Sequence, residues 1–160
     1  INVNLNVNED FEMAAGTWQI VNDARLGMVN NTINVGGGVF YAVLLTQAHV
    51  PNIDTDATYG NLTGQVTDPD YSRKDVNGMT ATEVGGVVTV DSDDLDFGSA
   101  VTISAKYCYV IAGDANTPAA GDRVLCYVDL DVSSANPVSS KTGPFIVVMN
   151  AAGIFTLDQT

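Results

Sequence analysis

Apolar and polar residues alternate without a break from Ile1 to Asn8, with Ile1, Val3, Leu5 and Val7 on one side and four asparagines on the other. A period of two belongs to an extended strand with one covered face. Asn is a poor strand former, so the pattern and not the propensity carries this expectation. Residues 1–10 are therefore expected to form an edge strand, or an arm that adds to the sheet of a neighbouring molecule. Residues 11–160 are expected to form a single β-sandwich domain. The next signal is of another kind. Val39-Phe40-Tyr41-Ala42-Val43-Leu44-Leu45 is apolar throughout and follows Gly36-Gly37-Gly38, as a strand buried on both faces would.

Further short strands are predicted at 32–35, 87–90, 101–111, 124–130, 145–149 and 154–157. Turn residues separate them. The stretch from Val101 to Ile111 alternates at Val101, Ile103, Ala105, Tyr107 and Tyr109 and reads as one strand. One helix is predicted near residues 23–30, with Asp23 as cap, Asn30-Asn31 as stop, and Gly27 weakening it by about 1 kcal/mol. Residues 49–70 read as a long loop, which is either functional or locally structured. The fold class that follows is all-β: a single-domain β-sandwich or jelly-roll-like fold with at most one short helix. If residues 113–121 close a hairpin with Ala112 opposite Asp122, then Cys108 faces Cys126 and Tyr107 faces Tyr127. That register leaves either two packed thiols or a cross-strand disulfide.

Charge alters the functional picture. Nineteen acidic residues stand against six basic ones, for a net charge of −13. Such a chain is repelled by phosphate backbones, so direct nucleic-acid binding is not expected. No apolar run is long enough to span a bilayer as a helix, so no membrane partner is expected. The single histidine, His49, lies in a loop without a nucleophile motif around it, and no catalytic residue is assigned. Gly36-Gly37-Gly38 continues into neither nucleotide-binding pattern and reads as a flexible turn, so no cofactor is expected. Asp91, Asp93, Asp94 and Asp96 gather four carboxylates in six residues, and Asp54/Asp56, Asp68/Asp70 and Asp129/Asp131 are spaced i, i+2. Calcium takes roughly six to eight such oxygens. The loop lacks EF-hand spacing, since Leu95 and Thr102 fall where ligands are required, so these four aspartates are weak calcium candidates.

Several segments carry a resemblance. They are Tyr41-Ala42-Val43-Leu44-Leu45-Thr46, the Asp-rich turn from Val90 to Phe97, and Ala100-Val101-Thr102-Ile103-Ser104-Ala105-Lys106-Tyr107. Cys126-Tyr127-Val128-Asp129-Leu130, Gly143-Pro144-Phe145-Ile146-Val147-Val148 and Gly153-Ile154-Phe155-Thr156-Leu157 complete it. Across about residues 40–157 the chain resembles small β-rich virion structural proteins of tailed bacteriophages, of the capsid decoration (cement) type. Cys108 and Tyr109 depart from the aliphatic continuation usual there. The resemblance implies a non-enzymatic protein made in the host cytoplasm and bound to the capsid exterior. Its partner would be the major capsid protein, and it would act as a homo-oligomer, a trimer. The alternative is a tail, fibre or receptor-binding module of the virion, or a calcium- or carbohydrate-binding β-sandwich. Partner-contact candidates are Ile1, Val3, Leu5 and Val7 on the alternating face, with His49 and Tyr59 in the long loop.

Overall fold

The computed structural model describes residues 15–158, and the alternating segment with Ile1, Val3, Leu5 and Val7 lies outside them. In chain order the elements are β1 (Gln19–Ile20), α1 (Asn22–Val29), β2 (Phe40–Leu45), β3 (Lys74–Asp75), β4 (Thr80–Val84) and β5 (Val87–Asp91). There follow β6 (Leu95–Asp96), β7 (Val101–Ala105), β8 (Tyr107–Ala112), β9 (Val124–Asp129), β10 (Val138–Gly143), β11 (Ile146–Val147) and β12 (Phe155–Asp158). Among the described residues the chain is all-β with one short α-helix, as its pattern predicts.

A five-stranded sheet in the order β1-β9-β8-β2-β3 forms the centre. Every residue of β2 is buried, so this strand is covered on both faces. Around it lie the pairs β10-β7 and β11-β6 and the three-stranded sheet β12-β5-β4, all antiparallel. One hydrophobic cluster runs through the pieces, from Trp18 by way of Tyr41, Leu44, Phe97, Tyr109 and Leu125 to Phe155.

The predicted strand from Val101 to Ile111 is broken at Lys106. The residues before it pair with β10, and those after it pair with β2 and β9. Lys106 is 4% exposed, and its ammonium donates to Asp129 Oδ1 (2.7 Å), to the Ser134 carbonyl (2.6 Å) and to the Asp131 carbonyl. Its backbone N–H donates to the Leu45 carbonyl and its carbonyl accepts from Leu130. An uncompensated charge at this depth is costly, so the chain bends where the oxygens converge.

The predicted register of the 113–121 hairpin is off by two. Tyr109 faces Tyr127, Cys108 faces Val128 and Val110 faces Cys126. Half of the shift comes from the loop, which closes on Ala112 and Arg123 and not on Asp122. The other half comes from a bulge: Val110 pairs with Cys126 but Ile111 with Val124, leaving Leu125 as an extra residue. A shift of two keeps each side chain on its face. The cysteines are diagonal neighbours, too far apart for a disulfide, and both are free and buried.

Other expectations need correction. Residues 32–35 form a turn and no strand, because Asn34 accepts the N–H groups of Gly36 and Gly38 through its side chain and carbonyl. The helix cap is Val21, which supplies no side-chain bond. Asp23 instead sits in the first turn, where its carboxylate meets the Arg123 guanidinium at 2.6 Å. Gly27 belongs in this helix because a Cβ there would lie 2.9 Å from Arg123 Nη1 and 3.0 Å from Ile33 Cδ1. β4 and β10 were not foreseen. The missed signal for β4 is Gly85-Gly86, both at positive φ, which forms the two-residue turn of the β4–β5 hairpin.

Two outcomes are expected. Burial raises both thiols well above their ordinary range. A thiol reagent should therefore find neither cysteine in the native protein at neutral pH, and both after denaturation. Lys106→Met removes the partner of a partly buried carboxylate and leaves two carbonyls without their donor. Urea titration should show a loss of about 3 kcal/mol, and a loss below about 0.5 kcal/mol would refute the anchoring role.

Candidate interaction surfaces

The acidic residues are engaged with backbone. Asp91 Oδ1 accepts the Ser92 N–H (2.9 Å), Asp94 Oδ1 the Met149 N–H (2.8 Å) and Asp96 Oδ1 the Gly98 N–H (2.8 Å), while Asp93 packs against Gly78. Among the described residues no three His, Cys, Asp or Glu side chains converge as a metal-ligand set. The i, i+2 pair Asp68/Asp70 does point to one side, but toward protein. Asp68 Oδ2 accepts from Ser104 N–H and Asp70 Oδ2 from Thr102 N–H, each at 2.9 Å. These are alternate residues of β7, on the edge away from β10, so two carboxylates close an open strand edge.

His49, named above as a contact candidate, lies inside the fold. It is 4% exposed, and Asp56 beside it is also buried. The Thr63 N–H points at Nδ1 (3.4 Å), which assigns the ring proton to Nε2. From there it faces Asp56 Oδ2 (3.1 Å) and the Tyr109 hydroxyl (3.0 Å). Asp56 Oδ2 also accepts from Tyr109 O–H (2.8 Å) and Asn52 N–H (2.9 Å). The Thr63 hydroxyl lies 3.2 Å from Nδ1, so hydroxyl, imidazole and carboxylate stand in line. The clefts of about 490, 410 and 370 Å³ are lined by none of them. The network therefore ties the long loop down onto β8, which is why that loop needs so little regular structure. Tyr59 is half-buried, and it too is tied inward. Its hydroxyl donates to Gln65 Oε1 (2.7 Å) and accepts from Arg73 (3.4 Å), and its ring meets Tyr41 edge-on. Tyr59 opens the short 3-10 turn Tyr59–Asn61, whose neighbour Thr58 bridges to Arg123. Loop composition pointed to a contact surface; the polar tips of these rings instead meet buried groups at His49 and half-buried ones at Tyr59.

Two open surfaces stand out among the described residues. The first is the sheet β12-β5-β4. Its register puts Ala81, Glu83, Val88, Val90, Phe155 and Leu157 on one face. That face starts in the core at Val90 and Phe155 and runs outward through half-buried Val88 to Leu157, which is 41% exposed. All of β4 is exposed, Val84 at 79%, and nothing surrounds Gly85 and Gly86 at the tip. The second surface is a cleft of about 370 Å³ lined by Tyr107, Tyr127, Asp129, Gln19, Thr17 and Pro51, among others. A larger cleft of about 490 Å³ includes Gln65, Tyr71, Arg73 and Asn116. There Arg73 is held by the Ala115 carbonyl and Tyr59.

Five of the six tyrosines are held above their ordinary range, each first by burial. For Tyr71 the value is pushed up to about 12, although the Leu44 N–H and the Gln65 amide donate to its hydroxyl and oppose the rise. For Tyr109 and Tyr41 a hydrogen bond to Asp56 or Asp122 adds to burial. A raised folded-state value favours the protonated phenol in the native state. The stability it contributes is complete below pH ~10, where unfolded tyrosine titrates, and is lost as pH rises toward 12 and beyond. The melting temperature should thus fall steeply above pH ~10, with tyrosinate absorbance rising together with loss of near-UV circular dichroism. Full tyrosinate formation at pH 10–11 with the fold intact would contradict this.

Compared with protein-family models, curated proteins and solved structures, the chain matches none.

Proposed function

We propose that this chain is a non-enzymatic structural protein of a tailed-phage virion, a capsid decoration protein that binds the outside of the head through protein–protein contacts. The observation that carries the reading is the projecting sheet β12-β5-β4. Its apolar face leaves the core at Val90 and Phe155 and continues to Val88 and Leu157 without a cover among the described residues. Apolar surface that continues outward from a core is what a packing partner buries, at about 25 cal/mol per Å². The major capsid protein is the partner in this reading, and a trimer the assembly. Strong net negative charge suits an exterior position and disfavours contact with packaged DNA. A protein that binds the assembled shell and not its free subunits stabilises the shell by mass action. Ile1, Val3, Leu5 and Val7 are further contact candidates in this reading.

The second reading is a tail or receptor-binding module of the virion. The tyrosine-lined cleft favours it, since a receptor site needs a shaped, partly aromatic recess. Immunogold labelling of virions separates the two locations.

The direct test is solution mass followed by co-sedimentation with empty shells. A trimer that sediments with shells is expected. Leu157→Asp, at an exposed position, should keep the melting temperature and lower shell affinity at least tenfold, about 1.4 kcal/mol. A monomer that stays in the supernatant would refute the decoration reading, and unchanged affinity of Leu157→Asp would refute the assigned face.

A further inference from the structure

The cleft beside β9 collects unusual chemistry for its size. The register sets Gln19 opposite Tyr127 and Tyr127 opposite Tyr109, with Asp129 opposite Tyr107 one step along. Alternation then places Gln19, Tyr107, Tyr127 and Asp129 on one face of the central sheet. The Tyr127 ring is stacked on buried Tyr109, with centroids 5.0 Å apart and an interplanar angle of 18°. Tyr107 meets the His49 ring edge-on at 6.4 Å, and the Lys106 ammonium lies 5.9 Å from its centroid. Both outer rings are therefore held from behind by packed groups while they remain half-buried at the cleft.

The polar groups are held with the same economy. Asp129 Oδ1 accepts from Lys106 Nζ (2.7 Å) and from the Asp131 N–H (2.9 Å). Both fixed contacts fall on one oxygen, and Oδ2 has no partner among the described residues. Neither do the hydroxyls of Tyr107 and Tyr127. Gln19 makes only a 3.3 Å contact to the Thr17 carbonyl. A carboxylate oxygen, two phenols and an amide thus line a recess whose walls are two braced rings, Pro51 and Val132.

We propose that this cleft is a binding site for a short neutral saccharide. A sugar ring presents C–H groups on its faces and hydroxyl donors around its rim. The C–H faces match aromatic walls, and the hydroxyls match a fixed carboxylate that accepts charge-assisted bonds. The volume, about 370 Å³, lies within the usual range for small-ligand sites. Neutral sugars are selected over acidic ones by Asp129 at the wall and by the net charge of −13. The proposal does not rest on the location in the virion and holds for a head or a tail protein.

The test titrates the full chain with glucose, galactose, mannose, N-acetylglucosamine and their disaccharides, and follows the tyrosine ring resonances by NMR. Galacturonate and sialyllactose serve as acidic comparisons. At least one neutral sugar should saturably shift Tyr107 and Tyr127, with Kd of roughly millimolar or below. The acidic sugars should bind at least tenfold more weakly. Gln19→Ala is at an exposed position, and Tyr127→Leu leaves a smaller apolar side chain at a half-buried one. Both should retain the melting temperature within a few degrees and weaken binding at least fivefold. No shift from any neutral sugar at about ten millimolar, equal binding of the acidic sugars, or unchanged affinity in Gln19→Ala would each overturn the proposal.

Discussion

An ammonium group carried into a protein interior must find oxygen within bonding distance or lose its charge. Lys106 finds it in Asp129 and in the carbonyls of Asp131 and Ser134, and that requirement organises much of what surrounds it. The chain is passed at this residue from the β7–β10 pair into the central sheet. The 129–134 segment is drawn over the lysine as a turn, further fixed by the Asp131 carboxylate, which accepts from Ser133. Asp129 is held by one oxygen, which orients the other. A single buried cation thereby sets both the break between two sheets and the polar wall of the neighbouring cleft.

The excess of aspartate follows from the same economy of backbone bonding. A short carboxylate reaches an N–H two or three residues away, or on an adjoining strand, and replaces a missing backbone partner. Asp56, Asp68, Asp70, Asp91, Asp94, Asp96, Asp114, Asp122 and Asp131 all accept from backbone N–H groups. Glutamate, longer by one methylene, suits such local turns less well, and the chain has three against sixteen aspartates. A fold with many short strands and long connections leaves many N–H groups outside ladders. Its acidity is therefore partly structural, and the outward field is a consequence of how the turns are closed.

Periodicity made β2 and β9 legible because nothing interrupts their apolar patterns. It failed at Lys106 for a specific reason. Val101, Ile103, Ala105, Tyr107 and Tyr109 keep the period of two across the bend, so the change of partner leaves no mark in the pattern. The hairpin register was missed because the bulge at Leu125 depends on packing and not on a turn motif. The error of two kept facing intact: Tyr107 and Tyr127 share a face, but Tyr127 lies opposite Tyr109 and Tyr107 opposite Asp129. β4 has only Ala81 and Val84 as apolar residues, and its exposure explains the weak signal. His49 and Tyr59 were assigned to the surface because their segment has a loop composition. Their inward orientation goes with hydrogen bonds to Asp56, Tyr109, Gln65 and Arg73; Tyr109 is distant in sequence and the other three are polar residues outside the strands.

The two open surfaces obey different physics, and this separates what each could recognise. The sheet offers a mainly apolar face interrupted by Glu83 and a threonine-rich back that ends in Val84 and Val87, and its hairpin tip lies in open space. Such a face gains from area and tolerates small displacements, which suits a broad protein partner. The cleft offers little area, but its groups are fixed from behind by Tyr109, His49 and Lys106. Fixed polar groups reject a ligand that leaves them unpaired, which suits a small partner with matched hydroxyls. Leu157 lies on the β12-β5-β4 sheet and Gln19 on the edge strand of the five-stranded sheet, and no strand is shared between the two sheets. Their effects on binding should then be independent.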